Sequence, residues 1–128
     1  MSNNEGQVER IIAEACQTFA TGPIPDDARR GASAVILDWL GCALLGAETP
    51  LAAAMVKAHD GEIGQGTATC FVGPSVCSPN LAALINGTVS HALELDDIYS
   101  PAFYHPGVCV ISAASLASTG ARRTATSA

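Results

Sequence analysis

The stretch from Ala32 to Ala47 is apolar along most of its length and is broken by a single charge, Asp38. No other feature constrains the fold as tightly. A run this short does not span a bilayer, so its apolar surface has to be buried against protein. Ala32, Val35, Ile36, Trp39, Leu40 and Ala43 recur at helical spacing, while Leu37, Cys42 and Leu45 lie off that stripe. The pattern predicts a central helix over about Asp27–Ala47, apolar nearly all round, that buries Trp39 and Val35. Pro25-Asp26-Asp27 opens it with acids at its positive end, and Gly46 is its terminator.

The remaining segments also read as helices. Val8, Ile11, Ile12, Ala15 and Phe19 define a first helix, stopped by Thr21-Gly22-Pro23. A third helix covers about Pro50 to His59 and gives way to the glycine-rich loop Asp60–Gly66. Thr67–Val72 is strand-like, and one short strand does not make a sheet. Ser78 caps a helix that has Pro79 at its first position, with Leu81, Leu84, Ile85, Thr88, Ala92 and Leu95 on one face. A last helix runs from Pro106-Gly107 to about Ala117. The expectation is an all-α unit over residues 1–117, with four to five helices and at most one short β element. Residues 118–128 lose helical periodicity and read as a tail, either disordered or produced by a cut or shifted reading frame.

Charge narrows the function classes. Of 128 residues, 14% are charged and 48% hydrophobic, so disorder is excluded and some apolar surface must stay uncovered. That points to self-association, a homodimer for example, or to a piece of a larger assembly. Lys+Arg total 6 against 12 Asp+Glu, for a net charge of -6, and Lys57 is the single lysine. A nucleic-acid partner needs clustered positive charge, and none is present. Neither a secretory signal nor a membrane span is legible, so the expectation is a cytoplasmic protein without a membrane partner. Five cysteines, Cys16, Cys42, Cys70, Cys77 and Cys109, form no C-x-x-C pair and read as small buried hydrophobes.

The polar residues concentrate between His91 and His105. Two of the three histidines and three of the twelve acids, Glu94, Asp96 and Asp97, fall in this segment. On a helix, His91 and Glu94 are neighbours. Asp96 and Asp97 oppose the helix dipole, so a further constraint must hold them there, or else they cap the following turn. His105 precedes Pro106, which forces it into extended backbone and aims its ring from a loop. Each histidine also has a purely structural reading, as a hydrogen-bonded helix residue or as packing against Tyr99 or Tyr104. Two histidines and a carboxylate can ligate a metal, but no H-x-x-x-H or H-x-H spacing supports a site, and none is expected. Asn86-Gly-Thr88 matches a glycosylation sequon, yet it sits mid-helix and is discarded.

Asp38-Trp-Leu-Gly-Cys-Ala-Leu-Leu-Gly46, Ser78-Pro79, Asn86-Gly-Thr88, His91-Ala-Leu, Asp96-Asp97 and His105-Pro-Gly107 together resemble the MmgE/PrpD family over roughly residues 8 to 117. Its members include 2-methylcitrate dehydratase, cis-aconitate decarboxylase and iminodisuccinate epimerase. The resemblance implies a large helical domain that dimerises, an α/β lid domain further along the chain, and small di- or tricarboxylic acid substrates handled without metal or organic cofactor. It also implies a site at Glu94, Ile98 and His105. Here glutamate replaces the common aspartate, and isoleucine stands where the family has a threonine hydroxyl. These departures favour a dehydratase or epimerase relative. The expected catalytic positions are His105, Glu94 and Asp97, in one pocket, with His91, Asp96 and Ile98 as substrate-binding positions. A histidine base also needs cations for the substrate carboxylates, and this chain has none near His105 in sequence. The expectation is a truncated member, inactive alone, and the alternative is a non-catalytic helical module that dimerises or binds a partner.

Overall fold

Capping chemistry sets two of the helix starts. Thr49 Oγ1 accepts the amide of Ala52 at 3.3 Å, ahead of Pro50, and Ser78 Oγ accepts that of Leu81 at 3.4 Å, ahead of Pro79. In a computed structural model, residues 6–73 and 75–125 are described, with residues 75 and 116–125 as backbone only. The elements are α1 (Gln7–Thr21), α2 (Asp26–Gly46), α3 (Pro50–Ala58), β1 (Ala68–Cys70), β2 (Ser75–Cys77), α4 (Pro79–His91) and α5 (Pro106–Ala125). A 3-10 turn, Ser100–Ala102, precedes α5. The fold is therefore mostly α, as expected. The strand-like stretch does pair: β1 and β2 form a small antiparallel sheet with Ala68 opposite Cys77. No single helix among the described residues is long and apolar enough to cross a membrane.

The chain divides into two units, Met1–Ser33 and Ala34–Ala128. In the first, α1 buries none of its residues. In the second, α4 is the organising element and packs against α5, α3 and both strands. Ile85 and Val89 are fully buried at the centre, with Leu81, Ala52, Cys70 and Cys77 around them. Asn86 fastens the hairpin to α4: its Oδ1 accepts the Phe71 amide at 2.9 Å and its Nδ2 donates to Thr69 O at 2.9 Å. Phe71 also meets Trp39 edge-on, with ring centroids 5.5 Å apart. Gly46 ends α2 beside α4, where a Cβ would collide with the carbonyl of Val89.

Several expectations change. Helix α2 buries Trp39, Cys42, Ala43 and Gly46, but Val35 is only half-buried and Ile36, Leu37, Leu44 and Leu45 are exposed. It packs by one stripe, because the described residues leave its other faces uncovered. Cys42, Cys70 and Cys77 are buried, whereas Cys16 and Cys109 are exposed. Helix α4 stops at His91, short of Leu95, because Glu94 adopts a left-handed φ of 51°. Helix α5 continues to Ala125, beyond the expected end near Ala117. Residues 118–125 of the expected tail thus lie on this helix, and 126–128 lie outside the described residues.

Candidate functional site

The turn after α4 decides which acid meets which histidine. Glu94 N–H donates to His91 O at 3.0 Å, and the left-handed Glu94 reverses the chain so that Asp96 falls beneath the end of α4. The Asp96 side chain is 1% exposed. Its Oδ1 and Oδ2 lie 3.0 and 3.2 Å from His91 Nδ1. Which of the two groups donates depends on the tautomer of the His91 ring.

His105 reaches the same carboxylate from the other side. Tyr99 and Tyr104 pair across the loop, Tyr99 N–H donating to Tyr104 O at 2.7 Å, and Phe103 closes the turn with a φ of 48°. His105 follows immediately before Pro106, the first residue of α5. Its Nδ1 is 3.1 Å from Asp96 Oδ2, an ion-pair distance without hydrogen-bond alignment, so this buried nitrogen has no hydrogen-bond partner. The rings of His91 and His105 meet edge to face, with centroids 4.7 Å apart.

Asp97 does different work. Its Oδ1 accepts the Gly107 amide at 3.0 Å, a carboxylate on the positive end of α5. A Cβ at Gly107 would run into that same oxygen, so a side chain there would displace the capping carboxylate. The capping alternative open to the Asp96-Asp97 pair thus describes Asp97, while Asp96 bridges the histidines.

Two cavities adjoin the histidines. The larger, about 670 Å³, is bounded by α3, α4 and α5 and is lined by His91, Glu94, Cys109 and Ser112 among mostly apolar side chains. The smaller, about 250 Å³, is lined by His91, Phe103, Tyr104, His105, Val108 and Cys109. Glu94 and His105 therefore face different cavities that share His91, and Asp97 and Asp96 line neither. Ile98 is exposed and also lines neither. Among the described residues, no lysine or arginine lines these two cavities. The Tyr104 hydroxyl is pushed above its ordinary pKa by a hydrogen bond to Cys109 and by the charge of that thiol. Burial raises the Cys42 thiol, and Asp38, Asp96 and Asp97 add to the effect.

The sequence matches a known domain along nearly all its length. The model of the MmgE/PrpD N-terminal domain fits residues 10–126. The chain belongs to the MmgE/PrpD family. Relatives include a cis-aconitate decarboxylase-like protein, oryM, of Aspergillus oryzae, 28% identical over 98% of this chain and 27% of its own length. Cis-aconitate decarboxylase of Aspergillus terreus is 32% identical over 91% of this chain and 24% of its own length. The chain thus spans about a quarter of the length of these relatives. Both names refer to decarboxylation, not to the dehydration or epimerisation expected from Glu94 and Ile98. No solved structure matches. The family match also runs through residues 118–126, where the sequence alone reads as a tail.

The sequence singles out the right segment for a histidine–carboxylate cluster but not the bridge formed by Asp96. The His91–Asp96 and Asp96–His105 separations fit no short ligand or catalytic motif. The signal is instead structural: an unusual acid at a helix end that needs partners.

Proposed function

We propose that this chain is the N-terminal helical part of a cofactor-free lyase or isomerase acting on a small di- or tricarboxylic acid, with His105 as its acid–base residue. The observation that carries this is the placement of His105 on a loop, with Nδ1 facing the buried Asp96 and the ring lining a cavity. With Nδ1 turned toward the carboxylate, Nε2 is left as the proton-transfer atom. Removal of a proton beside a substrate carboxylate suits such a group. Cations to hold the substrate come from outside the two cavities described, in the longer assembled enzyme. Glu94 contributes from the larger cavity, and Asp97 acts by fixing the start of the helix that follows His105. The working protein is a cytoplasmic homodimer, a reading supported by free cysteines and by the uncovered apolar residues of α1 and α2.

The test grafts residues 1–126, the end of the family match, onto the remaining length of a related enzyme. The chimera is assayed for carbon dioxide release from cis-aconitate and for dehydration of 2-methylcitrate. His105→Ala should lower turnover by about 10²-fold or more, the size of an acid–base contribution, at an unchanged melting temperature. Survival of activity, or loss through unfolding, overturns the assignment. A second reading, a non-catalytic helical module that associates with another copy, is favoured by the exposure of Val8, Ile11, Ile12 and Phe19. An inactive but folded chimera, together with a dimeric chain, selects it.

A further inference from the structure

We propose that His91, Asp96 and His105 form a binding site for a divalent transition-metal ion of the zinc, cobalt or nickel type. One donor atom from each residue lies within 4.8 Å of the other two. Zinc holds imidazole nitrogen at about 2.0–2.1 Å and carboxylate oxygen at about 2.0–2.2 Å, so two ligands on one ion sit roughly 3 Å apart. The observed separations are 3.0 Å from Asp96 Oδ1 to His91 Nδ1 and 3.1 Å from Asp96 Oδ2 to His105 Nδ1. The carboxylate is thus at ligand spacing from each imidazole, and the three donors lie close enough for small side-chain movements to close them on one ion.

A second observation points the same way. His105 Nδ1 is buried beside a carboxylate without a hydrogen-bond partner, and a cation shared with that carboxylate would satisfy it. Two imidazoles and one carboxylate select a borderline metal. Calcium and magnesium need more oxygen ligands than the single carboxylate here supplies. The cluster is also reachable: the side chains of His91 and His105 are 43% and 29% exposed, and both line the smaller cavity. Three protein ligands leave a position there for water or a substrate oxygen.

Occupancy has a chemical consequence. A neutral imidazole bound to metal through Nδ1 keeps its proton on Nε2 and has no lone pair left to act as a base. The metal-loaded state is therefore silenced for the proton removal proposed above. The site itself does not depend on that reading, because it is detected by metal retention and not by turnover.

The test uses the purified, untagged chain and cobalt(II) alone. Equilibrium dialysis should retain one cobalt per chain, with visible ligand-field absorption and no intense thiolate charge-transfer band. His91→Ala and His105→Ala should each weaken binding by about tenfold or more. Cys42→Ser should leave it unchanged, although that thiol senses the charge of Asp96. Should the histidine variants lose helicity, the unmodified chain decides the matter by proton NMR. Cobalt should then broaden the ring signals of His91 and His105 and spare His59, which pairs with Glu62 elsewhere at 2.9 Å. No retained cobalt, a thiolate band, or equal broadening of all three histidines overturns the proposal.

Discussion

Asp96 and Asp97 are chemically identical neighbours that do unlike things, and backbone direction separates them. Asp97 holds the first turn of α5 through the Gly107 amide, so Asp97→Ala should cost about 1 kcal/mol in urea unfolding, the usual size of a lost cap. Asp97→Asn keeps an accepting oxygen and should recover most of that loss. A second residue-scale prediction concerns thiols. Burial, with nearby Cys70 as the next cause, pushes Cys77 up to about 11 from an ordinary 9.0. Between these values the unfolded thiol ionises and the folded one does not, so this group's contribution to stability is full below pH 9 and falls as pH rises towards 11. A thiol reagent at pH 8 should therefore label Cys16 and Cys109 quickly in the native chain, and all five cysteines only after denaturation. Rapid native labelling of Cys77 would contradict its burial. The site was legible in sequence as a cluster, because two histidines and three acids crowd into one polar segment. Its wiring was not, because that depends on two left-handed residues, Glu94 and Phe103, which no periodicity announces.

At the scale of elements, the most consequential joint is the one between α4 and the hairpin. Asn86 satisfies the Phe71 amide and the Thr69 carbonyl with one side chain. Asn86→Ala should cost about 1–3 kcal/mol, the range for leaving buried polar groups unsatisfied. Denaturant unfolding measures the loss, and amide exchange should quicken first at Phe71. An Asn86→Ala chain as stable as the parent would show that the clamp is dispensable. The start of α4 was legible because caps are local: Ser78-Pro79 states it in consecutive residues, and Pro50 marks the start of α3. The partner strand was not, because Ser75-Val76-Cys77 is too short to show alternation and is defined by its pairing with β1. The end of α4 escaped for a related reason. Ala92 and Leu95 continue the apolar period past His91, and only the backbone of Glu94 breaks it.

For the whole molecule, the balance of apolar and charged surface carries the argument. Helix α1 leaves Val8, Ile11, Ile12 and Phe19 between 55% and 64% exposed, and α2 leaves Leu37 70% exposed. With 14% charged residues, little repulsion opposes contact between such faces. Apolar side chains gathered on one face of a helix are stabilised by removal from water, at roughly 25 cal/mol per Å² buried. The chain should therefore self-associate in sedimentation velocity, with a weight-average coefficient that rises with concentration. Ile12→Asp with Phe19→Asp should shift that distribution towards monomer. The same pair should leave far-UV helicity almost unchanged, because both side chains are more than half exposed within the chain. A parent chain that stays monomeric on concentration and melts in one sharp transition would instead mean that these faces are tolerated in water.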